Sequence, residues 1–190
     1  PVTLQPPAAA GFPAVNISSI AATWGLTLGA AGYHLVASLT NNPLAVFASS
    51  TPLGIDATTA TVTVLSANTT FFLFVQANGP GATTAFTSYG ATSTLADTPL
   101  TAASTFTSVF VTSMSVSWLP GGNPIGVTSY TVVLSTGPSY PNAFADNRIV
   151  ASTMPAGALP TASFTGLNDN TSYYLFVAGL NHNGVPSAYA

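Results

Sequence analysis

The chain has 190 residues, of which 47% are hydrophobic and only 3% are charged, and it contains no Cys. With a single Arg and no Lys, it has no cationic patch to displace counterions from phosphates, which excludes nucleic acid as a partner. The absence of Cys excludes disulfides and thiolate metal sites, no apolar run approaches the length of a membrane span, and the high hydrophobicity argues against a disordered chain.

Short segments with alternating apolar residues follow one another along the chain, which indicates β-strands. The segment "IAATW" (20–24) is matched later by "MSVSW" (114–118), and "ATVTVL" (60–65) and "YTVVL" (130–134) are rich in β-branched residues. The faces predicted to be buried carry Ile20, Ala22 and Trp24 in the first segment, and Met114, Val116 and Trp118 in its match. Clusters of Gly, Pro and Asn separate the segments, and no stretch has a sustained helical period, so the pattern predicts an all-β sandwich.

One phrase occurs twice, as "LSANTTFFLFV" at 65–75 and as "LNDNTSYYLFV" at 167–177. The other matched pairs, in the same order along the chain, are Trp24 with Trp118 and Tyr33 with Tyr130. An internal repeat of this length indicates two homologous domains. We place them at residues 1–97 and 98–190, because Pro and small residues interrupt the strand pattern between them.

These matched residues resemble the fibronectin type III domain, as found in tandem in bacterial or archaeal extracellular surface and filament proteins. The resemblance implies two tandem fibronectin-type-III-like (Ig-like) β-sandwiches, each with strands A-B-E packed against C-C′-F-G. It also implies a tyrosine corner at Tyr173, whereas Phe71 at the matching position lacks the hydroxyl. The resemblance places these residues in the two cores: Trp24, Tyr33, Leu65, Phe71, Trp118, Tyr130, Leu167 and Tyr173.

Side chains suited to catalysis or metal binding are few and scattered. His34 alternates with apolar neighbours and is expected to point outward, and His182 falls in a predicted loop. The "NDN" stretch at 168–170 has one carboxylate where calcium loops use several, so a turn is favoured there. We therefore predict no catalytic residues, no cofactor and no metal site, although a hydrolase with paired carboxylates stays open as an alternative.

Three Asn-x-Ser/Thr sequons begin at Asn16, Asn68 and Asn170. The last two occupy the same position in the two repeats. Such Asn residues either form a turn, with the following Thr present for structural reasons, or carry N-linked glycans on a secreted chain. Glycans would help to keep a surface with so little charge soluble.

A stripe of aromatic residues is expected on the outer face of C-C′-F-G, where alternation along strand F directs Phe72, Phe74, Tyr174 and Phe176 outward. Val36 and Val133 of strand C are expected to join them. A contiguous apolar patch usually marks a contact surface, and we call these four aromatic residues the outward stripe. The alternative is a set of isolated aromatic residues covered by glycans or loops.

The two ends of the chain suggest assembly from head to tail. Strand G of the second domain has barely begun at Ala190, and writing "SAYA" before "PVTLQPP" reproduces the seven-residue step from Ser88 to Leu95. We therefore expect residues 1–5 to pair with a neighbouring unit and to complete its second sandwich. The expected contacts are Pro1, Val2, Thr3 and Leu4 on one side and Ala188, Tyr189 and Ala190 on the other.

These observations predict a non-enzymatic extracellular structural protein at the cell surface, a unit of a filament, sheath or adhesive fibre. Its expected partners are copies of itself, either as separate subunits or as repeats of one covalent chain, together with glycans. The alternative is a carbohydrate-binding or spacer module of a larger secreted hydrolase.

Overall fold

The computed structural model describes residues 4–140, 149–154 and 160–190. It divides into two compact units, Pro1–Thr94 and Leu95–Ala190, which we call the first and second sandwich. The boundary lies three residues before the position expected from the sequence. Asp97 shows why, because its carboxylate accepts a hydrogen bond from the Gly122 N–H (2.9 Å) and its own N–H donates to Asn123 Oδ1 (2.8 Å). The interdomain stretch is thus tied to the second sandwich.

The first sandwich consists of two antiparallel sheets, with the order β1-β2-β5 in one and β4-β3-β6-β7 in the other, where β8 also pairs with β6. Its strands are β1 (Ala9–Val15), β2 (Ile20–Trp24), β3 (Gly32–Ser38), β4 (Ala48–Ser49), β5 (Thr59–Val62), β6 (Thr70–Gly79), β7 (Ala82–Thr83) and β8 (Thr87–Ser93). This arrangement is A-B-E against C′-C-F-G, and β8 is strand G.

The second sandwich repeats the arrangement, with β9-β10-β13 in one sheet and β12-β11-β14 in the other. Its strands are β9 (Leu100–Val109), β10 (Ser113–Leu119), β11 (Ser129–Ser135), β12 (Ile149–Met154), β13 (Thr161–Thr165) and β14 (Tyr174–Leu180). The all-β tandem sandwich predicted from the sequence is confirmed.

Each core is built around one Trp. The Trp24 ring lies 5.6 Å from the Tyr33 ring in the first sandwich, and the Trp118 ring lies 5.3 Å from the Tyr130 ring in the second. Of the eight core positions named from the sequence, seven are buried: Trp24, Tyr33, Leu65, Phe71, Trp118, Tyr130 and Leu167. The eighth, Tyr173, packs against the second core but is only partly buried.

The two corners before strand F are closed by different hydroxyl groups. In the second sandwich the Tyr173 hydroxyl accepts a hydrogen bond from the Asn168 N–H (2.9 Å). In the first sandwich Phe71 has no hydroxyl, and the fully buried Thr94 takes over this role. Its Oγ1 accepts from the Thr69 N–H (3.0 Å) and donates to the Ser66 carbonyl (2.7 Å). This substitution was missed from the sequence because Thr94 lies some 25 residues away along the chain.

We expect Trp118→Ala to destabilise the second sandwich by about 3–5 kcal/mol, because it removes a buried indole from the centre of the core. Chemical denaturation followed by circular dichroism measures the change. The matched control is Leu28→Ala in the first sandwich, where the side chain is 78% exposed and the change should stay within about 0.5 kcal/mol. An unchanged midpoint for Trp118→Ala would contradict the core assignment.

The Thr94 corner is tested by Thr94→Val, which keeps the shape and removes the hydroxyl. We expect a loss of about 1–3 kcal/mol in the free energy of unfolding of the first sandwich, because two backbone groups lose a buried partner. Tyr173→Phe, at a partly buried corner, should cost the second sandwich less, about 0.5–1.5 kcal/mol. A Thr94→Val variant as stable as the parent would show that packing alone closes the corner.

Candidate assembly surface

The described residues contain no cluster of three or more His, Asp or Glu side chains that could hold a metal ion, and they include no helix long and apolar enough to cross a membrane. His34 is half-buried on β3, and His182 is exposed in the turn after β14. Asp169 is exposed in the turn before β14. The features that distinguish this molecule lie in its sheet edges.

Strand G of the first sandwich is complete. β8 pairs with β6 from Thr70 to Val75, and its Tyr89 reaches across to the other sheet. The Tyr89 hydroxyl donates to the Thr23 carbonyl (2.7 Å), and its ring lies 5.5 Å from the Phe12 ring. Burial raises the pKa of the Tyr89 hydroxyl well above its usual value. A strand G with one inward tyrosine thus closes the first core.

In the second sandwich, Ser187 and Ala190 form the beginning of strand G. Ala190 and Val177 exchange backbone hydrogen bonds of 2.9 and 3.2 Å, and the Ser187 N–H donates to the Gly179 carbonyl (2.8 Å). In the first sandwich Thr84 makes the equivalent bond to Ala77 (2.9 Å). Ser187 therefore corresponds to Thr84, and Ala190 to the residue where β8 starts.

This register corrects the alignment made from the sequence, which matched Ser187 with Ser88. That alignment rested on the shared Ser and on the match of Thr94-Leu95 with Thr3-Leu4, whereas the backbone hydrogen bonds determine which residues are equivalent. The match made from the sequence is therefore displaced by four residues, from Thr84 to Ser88. Among the residues that the structure describes, no strand pairs with this side of β14 from Tyr174 to Phe176.

The core of the second sandwich is open at the same place. Leu73 and Phe71 of β6 are fully buried, whereas their counterparts Leu175 and Tyr173 are only partly buried. Between β9 and β14 lies a small opening of about 40 Å³, which we call the β9–β14 cleft. It is lined by Leu100, Thr101, Thr105, Ser117, Trp118, Leu175, Val177 and Ala190.

The outward stripe is only partly open in the single chain. Phe74 is 3% exposed, because the segment before β8 places Phe86 against it with ring centroids 6.4 Å apart. The expectation that Phe74 is open is therefore wrong. Val36 and Val133, expected beside the stripe, are also fully buried. An additional contact at Phe74 would require the Phe86 segment to move first.

The remaining stripe residues are more accessible. Phe72 is half-buried, and Tyr174 is 43% exposed at the open edge of β14. Phe176 is half-buried because Tyr140 lies 5.6 Å from it, and Tyr140 in turn packs against Tyr189 (4.9 Å). The outer aromatic surface of the second sandwich is thus a small cluster that leaves Tyr174 open.

Of the N-terminal residues expected to contact a neighbouring unit, the structure describes Leu4. Leu4 packs against the core of its own sandwich, and its Cδ2 would lie 3.1 Å from a Cβ built on Gly79. Apolar contacts hold Leu4 there. The expectation that Leu4 leaves its own sandwich to pair with a neighbour is therefore wrong for the single chain. The other predicted contacts at this end, Pro1, Val2 and Thr3, lie outside the described residues. At the other end, Ala188 is exposed.

The three sequons differ in how far their Asn side chains are exposed. Asn16 and Asn170 are exposed, whereas Asn68 is fully buried. Asn68 and Asn170 both adopt positive φ angles, 43° and 47°, in the left-handed region that Asn tolerates in turns. A glycan on the buried Asn68 amide is incompatible with this fold, so that candidate is withdrawn. Its Asn has a structural role in the turn.

Comparisons with known proteins show the fold. No known family matches the sequence, and no curated protein matches it. A two-domain fibronectin type III segment from chicken tenascin has 16% sequence identity and a TM-score of 0.62, and the match covers 97% of this chain and 95% of that one. The FN1–FN3 domains of chicken CNTN1 are similar at 13% identity with a TM-score of 0.47, over 98% of this chain and 65% of that structure. The chain thus has the fold of two tandem fibronectin type III domains.

The sequons are tested on material from the native source by mass spectrometry of chymotryptic peptides. If the chain is N-glycosylated, we expect glycan increments on peptides containing Asn170 or Asn16 and an unmodified peptide containing Asn68. The reason is that only exposed amides leave room for a glycan in the folded sandwich. Occupancy at Asn68 would contradict the buried placement of that side chain.

Proposed function

We propose that this chain is a non-enzymatic structural subunit or repeat unit of an extracellular filament, sheath or adhesive fibre at the cell surface. Units assemble from head to tail, and the N-terminal segment of one unit completes the second sandwich of the next. The proposal is carried by the tandem fibronectin type III fold, since the similarity to the tenascin segment covers 97% of this chain. Tyr174, which is 43% exposed on the outer face of β14, adds an accessible aromatic side chain.

In the proposed assembly, strand addition at the edge of β14 would act in two ways. Backbone N–H and C=O groups beside a core need partners, and an exposed edge offers them to any extended segment. An incoming strand also covers the apolar opening at the β9–β14 cleft, where Leu175 is only partly buried. A contact between two different surfaces of identical units that does not close into a ring builds an open fibre.

The position of Leu4 limits the length of this contact. Because Leu4 is held on its own sandwich, the proposal assigns the pairing to residues 1–3. A few backbone hydrogen bonds contribute about 0.5–1.5 kcal/mol each, which is little for two separate subunits. If the unit recurs along one covalent chain, the pairing becomes intramolecular and gains from a high effective concentration. The energetics therefore favour the covalent version, and the mass of denatured native material distinguishes the two.

The assembly is tested by negative-stain microscopy and gel filtration of the full chain over a range of concentrations. We expect fibres or head-to-tail oligomers from the parent. Tyr174→Asp should abolish them without unfolding the sandwich, because it places a charge beside the open edge. Removal of residues 1–3 should have the same effect.

The matched control is Val64→Asp, a change at an 86% exposed residue of the first sandwich, which should assemble like the parent. A parent chain that stays monomeric at every concentration, or fibres that persist in both edge variants, would contradict the proposal. A strict monomer would favour the spacer module instead.

A further inference from the structure

We propose that the outer edge of β12 is a self-association edge, at which the β12 strands of two copies of this chain pair in the antiparallel sense around a two-fold axis. The pairing joins the sheets β12-β11-β14 of two chains into one continuous sheet. It goes beyond the proposed function, because it links copies through a different strand and uses neither the N-terminal segment nor the edge of β14.

β12 is a regular strand at the edge of its sheet. All six of its residues, from Ile149 to Met154, pair with β11, and the register has no shift. Within the part of the chain that the structure describes, β11 is the only strand hydrogen-bonded to β12. Such a strand presents backbone N–H and C=O groups along its free side, in the extended conformation that a second strand requires.

The first sandwich shows how the same edge is protected from pairing. Its strand C′ is β4, which consists of only two residues, Ala48 and Ser49. A very short edge strand is one of the devices by which proteins prevent edge-to-edge pairing. β12 is the strand C′ of the second sandwich and has six residues. The protection found in the first sandwich is therefore not repeated in the second.

The edge strands of the two A-B-E sheets also differ from β12. β1 contains Gly11 and Pro13, and the pairing of both β1 and β9 has register shifts. β5 has four residues, and β13 has five that directly follow Pro160. Among the described residues, no edge strand of these two sheets offers six regularly paired residues, as β12 does.

The sequence of β12 favours pairing with a copy of itself. It reads IVASTM, with three β-branched residues and no charge, Pro or Gly. Six-residue segments with high β-propensity, low charge and no Pro pair readily with identical segments. Like charges directly opposite each other oppose strand pairing, and an uncharged strand meets its own copy without that repulsion. The partner that this edge fits is therefore a second β12.

The charge next to the strand favours one direction of pairing. Parallel pairing in register brings the starts of both strands to the same end, and the only cation of the chain, Arg148, directly precedes that start in the sequence. Antiparallel pairing separates the two starts by the length of the strand. A two-fold axis then places a central residue, Ala151 or Ser152, opposite its own copy.

The contact is small, and its strength depends on how the copies are held. Strands of this length form about six backbone hydrogen bonds, each with a modest net contribution. Separate chains therefore associate weakly and form dimers only at high concentration. Copies that are already held in one fibre pair more readily, because their effective concentration is high.

The experiment is sedimentation velocity of the full chain carrying Tyr174→Asp, the change expected to block fibres, over increasing concentration. We expect a monomer–dimer equilibrium that ends at the dimer, because two-fold pairing occupies both edges. Ala151→Lys should weaken dimerisation at least about tenfold, because it brings like charges together near the axis. The matched control is Ser49→Lys, an exposed position on strand C′ of the first sandwich, and it should leave dimerisation unchanged.

The register is tested by crosslinking, which also decides the question if Ala151→Lys fails to fold by circular dichroism. Because the chain has no Cys, a single introduced thiol has only its copy in another chain as a partner. Under copper-catalysed air oxidation, either Ala151→Cys or Ser152→Cys should give a disulfide-linked dimer. The control Ser49→Cys should remain largely monomeric.

The contrary results are equally specific. A chain that stays monomeric at every concentration, a folded Ala151→Lys variant that dimerises like its parent, or crosslinking at neither central position overturns the inference. Crosslinking of Ser49→Cys to the same extent also overturns it. Fibres of the parent chain without the β12 crosslink support head-to-tail assembly alone, whereas the β12 dimer without fibres supports the edge contact alone.

Discussion

The hydrogen bonding of strand F on both of its edges is the constraint on which both sandwiches depend. β6 is paired with β3 on one side and with β7 and β8 on the other, and its inward residues Phe71, Leu73, Val75 and Ala77 are buried. Among the described residues, β14 is paired with β11 on one side, and on the other side it has backbone bonds at Val177 and Gly179. Its inward residue Leu175 is only partly buried. Completion of strand G therefore controls backbone pairing and core closure together.

The duplication makes the first sandwich an internal reference for the second. The two share a Trp–aromatic core pair and an equivalent start of strand G, where Thr84 and Ser187 use the same backbone and side-chain bonds. They differ in how the corner is closed, by Thr94 in one and by Tyr173 in the other. Each corner ties the turn before strand F by a hydroxyl group. The turn is thus fixed in one sandwich by Thr94, which directly follows strand G, and in the other by Tyr173, which directly precedes strand F.

The scarcity of charge explains why edges and apolar surfaces dominate the proposals. With 3% charged residues the chain cannot rely on ion pairs for specificity, and large apolar side chains remain exposed in several loops. Hydrogen-bonded strand addition is directional, whereas apolar contact is not. In the proposed assembly, backbone pairing would set the register and apolar burial would supply the free energy.

The sequence alone determined the fold class, the duplication and the strand faces, because alternation along a strand and the repeated Trp and Tyr positions are local patterns. Only the tertiary structure decided the register of strand G in the second sandwich, the burial of Phe74 and Asn68, the position of Leu4 and the corner role of Thr94. Each of these depends on contacts between residues far apart in the chain. Burial and hydrogen bonding across sheets arise from packing, and a one-dimensional pattern does not contain the distances that set them.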